Sequence, residues 1–359
     1  MTETRIAIIG GGLAGLYAAY RLGKLGIAFD IFEARNRLGG RIHSTESGGF
    51  DLGPSWFWPD FQLRMHNLVS ELGLPVFEQY TAGATMLEDR AAGAVRGAGY
   101  LPGNTSMRVE GGTGQLVRAL ESLIPPEHLY LNAALQAVHL DEQAVSLVFA
   151  DTPDQLPRYS HVWLALPPRL AAAIQFSPSL PKHDLQRLMA VPTWMAAHAK
   201  YVARYAEPFW RETGLSGDGF SRIGPLAEIH DACNERGAAL FGFLGVNAAQ
   251  RATLSAPELK AACRAQLVRL FGEQAAAPID DSLYDWATDP YTATEQDRVS
   301  LGEHGSLDSG FTLAKPWADR VHFIGSEAAV EQGGYMEGAL AAVETVLADL
   351  GMPKSSQPA

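Results

Sequence analysis

The segment IAIIGGGLAG, residues 6–15, decides the fold of the first part of the chain. Its first four residues form an apolar run of the kind that is buried on both faces of a parallel sheet. A helical pattern of leucine and tyrosine follows the glycines, and residues 27–32 form a second apolar run that ends on Glu33. This order predicts a βαβ unit that binds a dinucleotide: a strand, a glycine-rich turn, a helix, a second strand and an acidic residue at its end.

Each glycine of this GxGxxG motif has its own task. Gly10 permits the tight turn, Gly12 lets backbone N–H groups approach a pyrophosphate, and Gly15 lets the helix pack closely on the strand. The helix amino terminus supplies positive potential for the phosphates. Glu33 is expected to accept hydrogen bonds from ribose hydroxyls and to disfavour a 2′-phosphate.

Length and composition indicate a globular protein of two domains. The chain has 359 residues, of which 47% are hydrophobic and 19% charged, and its net charge is -12. This charge argues against binding to nucleic acid or to anionic membranes. There is no apolar run of about 18 residues and no signal-peptide pattern, so a cytoplasmic protein with a small-molecule partner is expected.

Cysteine and histidine spacing predicts neither disulfides nor a metal site. The two cysteines, Cys233 and Cys263, lack CxxC spacing, and the ten histidines lack HxxxH or HExxH spacing. Cys263 lies on the apolar face of a predicted helix over 257–271, so it is expected in the core.

Residues 33–41, EARNRLGGR, closely resemble the extended dinucleotide motif of the flavin-containing amine oxidase superfamily, which includes the monoamine oxidases. NAD dehydrogenases generally lack this motif, so the resemblance favours FAD. Gly39 and Gly40 offer a second close backbone approach, and Arg41 can place its guanidinium on the pyrophosphate. A solvated basic loop is the alternative for the two earlier arginines of the segment.

Further blocks extend the resemblance over nearly the whole chain in the family's order. They comprise FDLGPSW at 50–56, EGGTGQL at 110–116, KYVARYAEPFWR at 200–211, WATDPY at 286–291, and the closing pair VHFIGSE and GGYMEGA within 321–339. The first block lies beside the isoalloxazine ring in the family, although Pro54 stands where a glycine is common. The alternating residues 129–140 and 145–150 resemble the β-meander that covers the adenine side, with Val138 at the position of a cofactor-binding valine.

The resemblance implies a full set of contacts to FAD. Glu327 would take a ribityl hydroxyl, and a helix that begins near 334–336 would point at the pyrimidine edge of the flavin, where its positive end stabilises charge. The implied cofactor-binding residues are Gly10, Gly12, Leu13, Ala14, Gly15, Glu33, Ala34, Arg35, Gly39, Gly40, Arg41, Gly53, Pro54, Ser55, Trp56, Val138, Trp286, Gly325, Ser326, Glu327, Gly334, Tyr335 and Met336.

Lys200 occupies the position of the family's active-site lysine. The resemblance implies that it faces flavin N5, usually through a water molecule. Its ammonium would favour electron density on the reduced flavin and help O2 to accept it. The alternative is a lysine at a strand end that extends its ammonium to solvent.

On the substrate side, the resemblance implies Tyr335, Trp56 and Gln296. Some family members carry a cysteine bonded to the flavin and a tyrosine of an aromatic cage near positions occupied here by Glu295 and Gln296. FAD is therefore expected to be non-covalent, with Tyr335 as the surviving wall of a cage that is incomplete or built from other residues. A core tyrosine is the alternative for Tyr335.

The resemblance implies an α/β fold, with an FAD-binding Rossmann-like domain of the glutathione-reductase type and a smaller α+β substrate domain. We expect residues 1–59, 108–190 and 297–352 in the FAD-binding domain. Residues 60–107 and 191–296 are expected in the substrate domain, which is short for the family.

Residues 353–359 are expected to form a flexible tail. A homodimer is a candidate assembly.

The implied reaction is FAD-dependent oxidation of an amine, with hydride transfer to flavin N5, hydrolysis of the imine to an aldehyde or ketone, and reduction of O2 to H2O2. A hydrophobic site with Tyr335 and Trp56 favours an aromatic or aliphatic monoamine over a polyamine. The first alternative is a flavin-dependent desaturase or carbon-carbon oxidase acting on an alicyclic or terpenoid substrate. A non-catalytic flavin-binding protein is the second, and an NAD dehydrogenase fits less well because it leaves the block around Tyr335 unexplained.

Overall fold

A computed structural model describes residues 4–99, 103–141, 144–150, 156–299, 305–308 and 311–352. The predicted flexible tail, residues 353–359, lies outside these ranges. The fold is α/β, as the sequence predicts, with a parallel sheet at its amino terminus and a larger mixed sheet built from the middle of the chain.

The strands alternate between these two parts of the molecule. In chain order they are β1 (Arg5–Ile9), β2 (Ala28–Phe32), β3 (Val76–Glu78), β4 (Ala84–Asp89), β5 (Gly93–Gly97), β6 (Met107–Val109), β7 (Leu129–Tyr130), β8 (Leu135–Leu140), β9 (Val145–Phe149), β10 (His161–Leu164), β11 (Gln175–Ser177), β12 (Ala199–Tyr205), β13 (Leu215–Ser221), β14 (Leu226–Asp231), β15 (Ala238–Leu244), β16 (Asp280–Asp285) and β17 (Val321–Phe323).

The helices are mostly short. In chain order they are α1 (Leu13–Lys24), α2 (Leu63–Glu71), α3 (Gly114–Glu121), α4 (Pro168–Ala171), α5 (Lys182–Ala190), α6 (Phe209–Glu212), α7 (Ala248–Arg251), α8 (Ala256–Phe271) and α9 (Met336–Asp349). Single 3-10 turns cover Pro126–His128, Glu273–Ala276, Trp286–Thr288, Glu295–Arg298 and Ser326–Ala328.

The predicted βαβ unit forms the centre of a five-stranded sheet with the order β17-β10-β1-β2-β7, in which every pair is parallel. Ile6 and Ile8 pack on one face of the sheet against α1 and α9, while Ala7 and Ile9 pack on the opposite face. Burial on both faces explains why this run is apolar throughout. The pairing of β17 with β10 brings the carboxy-terminal segment into the sheet that begins at Arg5.

The predicted meander is only partly correct. β8 and β9 form an antiparallel pair, and β11 joins them. β7, however, leaves this sheet and pairs in parallel with β2. The alternating pattern predicts extended backbone but does not state which sheet a strand joins.

The second large sheet has seven strands in the order β16-β12-β15-β14-β13-β4-β5. Helix α8 covers one face and buries Leu259, Cys263 and Leu267, as predicted for Cys263. On the opposite face, Val202 and Phe241 pack against Phe50 of the segment that follows the βαβ unit. The cleft described below is lined by residues of both large sheets.

Candidate active site

A cleft of about 640 Å³ is lined by residues of the parallel sheet, the seven-stranded sheet and the segments that join them. Most of the predicted site residues meet in it. Those that line it are Gly10, Gly12, Leu13, Ala14, Glu33, Ala34, Arg35, Gly39, Gly40, Arg41, Gly53, Pro54, Ser55, Trp56, Lys200, Trp286, Gly325, Ser326, Gly334, Tyr335 and Met336. Residues more than 300 positions apart in sequence therefore share one cavity.

The turn between β1 and α1 has the geometry that its glycines predict. Gly10 adopts a φ of +107°, and a side chain there would lie 2.7 Å from the carbonyl oxygen of Ala165. A side chain at Gly15 would collide with the carbonyl oxygen of Gly10. Gly15 is thus a packing residue of α1 rather than part of the cleft wall, which agrees with the task its motif assigns.

Two helices begin at the cleft without a side-chain cap. The residue before α1 is Gly12, which has no side chain, and the residue before α9 is Tyr335, whose side chain does not bond the first N–H groups of its helix. Uncapped N–H groups at a helix amino terminus are a site for negative charge. This arrangement fits a cofactor that carries a pyrophosphate.

Glu33 is fixed at the end of β2, with its carboxylate beside the glycine turn. It accepts hydrogen bonds from the N–H groups of Gly11 at 2.7 Å and Arg35 at 2.9 Å. Because Gly11 belongs to the turn between β1 and α1, the acid predicted to bind ribose lies next to the turn predicted to bind phosphate. Glu33 and this turn are therefore close enough to bind the ribose and the phosphates of the same dinucleotide.

Arg35 joins the amino-terminal motif to the tryptophan segment near the other end of the chain. Its guanidinium bonds Asp289 Oδ1 at 2.7 Å and Thr292 Oγ1 at 3.0 Å, and lies 3.4 Å from Glu33 Oε1. The ring of Tyr291 lies 5.3 Å from the guanidinium carbon. The alternative of a solvated loop is therefore wrong for Arg35, whose side chain is 12% exposed.

Arg41 lies in the cleft wall and holds Glu327 behind it. The guanidinium donates to the two carboxylate oxygens of Glu327 at 2.6 Å and 2.9 Å, and to Ser326 Oγ at 2.9 Å. Burial alone would raise the pKa of Glu327, but the charge and hydrogen bonds of Arg41 hold that pKa below its usual value. Glu327 is fully buried and does not line the cleft, so its predicted bond to a ribityl hydroxyl stays a prediction.

Lys200 projects from β12 into the interior and is 2% exposed. Its Nζ donates to the carbonyl oxygen of Gly53 at 3.0 Å and to Ser55 Oγ at 2.7 Å. The Nζ also lies 3.9 Å from the centre of the Phe241 ring, a cation–π contact. The alternative of a solvent-directed lysine is wrong.

The Lys200 ammonium is poised to lose its proton near neutral pH. Its pKa is lowered to about 7, mainly by burial and to a smaller extent by the nearby Arg108, while the carboxylate of Asp51 opposes both effects. Asp51 itself is buried and accepts hydrogen bonds from the N–H and Oγ1 of Thr113, at 2.8 Å and 2.7 Å. Burial nevertheless raises the pKa of Asp51.

Aromatic side chains form the wall near Tyr335. The Tyr335 ring lies 6.2 Å from Trp58, edge to face, and 6.5 Å from Trp194. All three line the cleft, so the alternative of a core tyrosine is wrong. Trp194 packs on the turn before α9, where a side chain at Gly334 would lie 2.6 Å from its Cβ.

Besides Gly15 and Glu327, two more predicted site residues do not line the cleft. Val138 is fully buried in the core beside β11, and Leu135, three residues earlier, lines the cleft instead. Gln296 lies exposed in the turn Glu295–Arg298, in which the next residue, Asp297, is buried and accepts a hydrogen bond from Arg169 at 2.6 Å. Neither spacing within an alternating strand nor spacing after Trp286 determines where these side chains point.

Sequence reasoning missed several lining residues. Trp194, Met195 and His198 come from the loop before β12, and Met195 adopts an uncommon positive φ of +61°. Glu228 lines the cleft from β14 and lies 2.7 Å from the imidazole of His230. The signal for this pair is its i, i+2 spacing in a strand, which puts both side chains on one face.

Among the described residues, no group of three or more His, Cys, Asp or Glu side chains is placed to hold a metal ion. In the same parts of the chain, every helix is too short or too polar to cross a membrane.

Two family profiles match the chain. Residues 77–345 match the profile described as flavin-containing amine oxidoreductase, and residues 8–72 match that of an NAD(P)-binding Rossmann-like domain. The first match covers about three quarters of the chain and includes Lys200 and Tyr335. The second covers the βαβ unit from residue 8 onward.

Curated relatives include a probable flavin-containing monoamine oxidase A of Dictyostelium discoideum, 24% identical over 93% of this chain and 94% of that protein. A putrescine oxidase of Kocuria rosea is 26% identical over 81% of this chain and 85% of its own length.

Solved structures with the same fold include a putrescine oxidase bound to putrescine, with a TM-score of 0.80 and 24% identity. That match covers 97% of this chain and 98% of the other. The cyclohexylamine oxidase of Brevibacterium oxydans IH-35A also has a TM-score of 0.80, at 20% identity, covering 97% and 98%.

Proposed function

The chain belongs to the family of flavin-containing amine oxidoreductases, and from this premise we propose that it oxidises a primary or secondary amine with FAD that is bound without a covalent link. The bound flavin would supply the redox chemistry, in which N5 accepts a hydride from the amine α-carbon, the imine hydrolyses to an aldehyde or ketone, and O2 is reduced to H2O2.

The proposed FAD site uses the residues that already meet in the cleft. The turn before α1 would hold the pyrophosphate, Glu33 the ribose, and the amino terminus of α9 the electron-rich edge of the flavin. Arg41 would add a guanidinium to the pyrophosphate. Leu135, which lines the cleft, would contact the adenine side in place of Val138.

Two observations support non-covalent binding. Glu295 and Gln296, which stand near the positions of the flavin-linked cysteine and the cage tyrosine in some relatives, lie in an exposed turn. Cys263 is fully buried on the core face of α8, and Cys233 does not line the cleft. No cysteine of the described chain is therefore positioned to attack a flavin in this cleft.

The observation that carries the proposed reaction is the buried Lys200 ammonium in the cleft wall. Ser55 and Gly53 hold its Nζ, and the rings of Phe241 and Phe243 lie beside it at 3.9 Å and 5.4 Å. A fixed cation in such surroundings stabilises nearby negative charge far more than it would in water. The desaturase alternative does not require this lysine.

We also propose the domain division expected from the sequence. Strands from residues 5–32, 129–130, 161–164 and 321–323 make up the parallel sheet, which supports an FAD-binding domain assembled from separated segments. Strands within 84–97 and 199–285 make up the seven-stranded sheet, which supports the substrate domain.

Anaerobic mixing of the flavin-loaded protein with a panel of amines tests the proposed reaction. We expect the visible flavin absorbance to bleach, and H2O2 to appear with the carbonyl product when O2 is admitted. Bleaching by alicyclic or terpenoid compounds but by none of the amines would favour the desaturase. A flavin that no compound bleaches would favour a non-catalytic binding protein.

A further inference from the structure

Glu228 introduces an acidic side chain into an otherwise aromatic region of the cleft. Residue Glu228 on β14 is paired with Phe243 on β15, and Phe243 is paired with Lys200 on β12. Directly paired residues point to the same face of a sheet, and all three line the cleft. Glu228 therefore lies two strand spacings, on the order of 10 Å, from the backbone of Lys200.

A buried histidine and a second carboxylate fix Glu228 from behind. His230 Nε2 lies 2.7 Å from Glu228 Oε1, and His230 Nδ1 lies 2.8 Å from Asp218 Oδ1. The side chains of His230 and Asp218 are 7% and 1% exposed, whereas that of Glu228 is 43% exposed. The only accessible end of this Asp218–His230–Glu228 relay is thus the carboxylate in the cleft.

The relay carries one net negative charge when the imidazole is protonated. Burial by itself would lower the pKa of His230, but its hydrogen bonds to Asp218 and Glu228 raise it. Both ring nitrogens then donate, each to one carboxylate. Asp218 Oδ2 has no hydrogen-bond partner among the described residues. Two carboxylates against one imidazolium leave an uncompensated negative charge that is accessible at Glu228.

The surroundings of the relay are apolar and aromatic. The Trp56 ring stands perpendicular to the His230 ring at 4.9 Å, and the Phe241 ring lies at 5.3 Å. Glu228, Phe243 and Lys200 form a row of paired residues across β14, β15 and β12, with Phe243 in the middle. A ligand that spans this row meets an apolar surface in its middle and a carboxylate at its far end.

From this arrangement we infer that Glu228, positioned by His230 and Asp218, binds a second cationic group of the amine substrate. The inference rests on the proposed function, because it assumes that the reacting amine lies near Lys200. The preferred substrates are then short aliphatic diamines, whose methylene groups contact Phe243 and whose distal ammonium pairs with Glu228. This differs from the expectation of a monoamine, which rests on the hydrophobic residues Tyr335 and Trp56 alone.

The test compares 1,4-diaminobutane with n-butylamine, which has the same carbon chain and lacks the second amine. The flavin-loaded wild type should show the higher kcat/KM for the diamine. Glu228→Gln should lower the ratio of the two kcat/KM values by about tenfold or more, since one charge pair in a partly desolvated site is lost. Glu235→Gln makes the same charge change in the exposed turn of the same hairpin and should leave the ratio at its wild-type value.

His230→Gln tests the positioning role. An amide donates from only one of its two ends, so it cannot hold both carboxylates. We expect a higher KM for the diamine with a smaller change in KM for n-butylamine, in protein whose flavin content and thermal midpoint match the wild type. Glu228→Asp, which keeps the charge but shortens the side chain, should give a ratio between those of the wild type and Glu228→Gln.

A ratio that is the same in the wild type and in Glu228→Gln, with both amines oxidised, would overturn the inference and leave the proposed function intact. A wild type that oxidises neither amine nor any other member of the panel would instead contradict the proposed function, and the inference with it.

Discussion

Lys200 is the charged group on which the proposed reaction of the reduced flavin with O2 depends. It lies near the start of β12 and is 2% exposed, and its Nζ donates to Ser55 Oγ at 2.7 Å and to the carbonyl oxygen of Gly53 at 3.0 Å. Ser55 is 145 residues away in sequence, so the position of the ammonium depends on the contact between β12 and the segment that follows the βαβ unit.

Replacing Lys200 should mainly affect the reaction of the reduced enzyme with O2. In Lys200→Met we expect that step to slow by about 10²-fold or more, because a preorganised and buried cation is lost. Anaerobic reduction by amine should change less. Stopped-flow measurement of the two half-reactions separates these effects, and Lys182→Met, at an exposed position, serves as the control. Equal slowing of both steps would contradict the role given to Lys200.

The pH dependence of the same step should follow the Lys200 ammonium. Its pKa is lowered to about 7, so the charge is present below that pH and is lost as the pH rises through it. The rate of reaction with O2 should therefore fall about tenfold between about pH 6 and about pH 8. Lys200→Met should abolish this dependence. A profile that is unchanged in the variant would assign the titration to another group.

Other residues show where local patterns fail. Val138 and Leu135 both lie in β8 and both are apolar, so the sequence pattern does not state which of them is in the core and which lines the cleft. Glu228 and His230 could be assigned to one face of a strand from their spacing, but their partner Asp218 comes from the neighbouring strand β13. The candidate site was predictable where it consists of backbone motifs and less so where it consists of single side chains from β-strands.

At the level of elements, α1 is where the sequence prediction was most complete. The spacing of its glycines and apolar residues predicted the turn, the helix and its contact with β1. Gly15→Ala should destabilise the protein by about 1–3 kcal/mol and reduce its retention of FAD, because the new methyl group would meet the carbonyl oxygen of Gly10.

Gly23→Ala is the matched control in the same helix. Gly23 is exposed, and its nearest contact would be Phe29 at 3.8 Å. This change should raise stability by up to about 1 kcal/mol, as expected for alanine in a helix. Thermal or denaturant unfolding measures both variants. Equal effects at the two positions would contradict the close packing assigned to Gly15.

At the scale of the whole molecule, the two ends of the chain are joined at the cleft. β17 completes the sheet that begins with β1, and Arg35 bridges Glu33 and Asp289. The ordered family blocks predicted that these segments meet. They could not predict the bridge, because its partners come from separated segments and its geometry depends on both.

Arg35→Met should therefore affect both stability and cofactor binding. It leaves two buried carboxylates without their cation, which costs about 3–5 kcal/mol when the pair is fully buried and somewhat less here. We expect a lower unfolding midpoint and a higher dissociation constant for FAD. Arg118→Met, at an exposed position on α3, should change neither. An Arg35→Met protein with wild-type stability and FAD affinity would contradict the bridge.

The most direct test of the central claim is the visible absorption spectrum of the purified protein after incubation with FAD and removal of free flavin. The account predicts a yellow protein that retains about one FAD per chain and releases it on acid precipitation. A folded protein that stays colourless after this treatment would contradict the claim that both ends of the chain close around a single flavin.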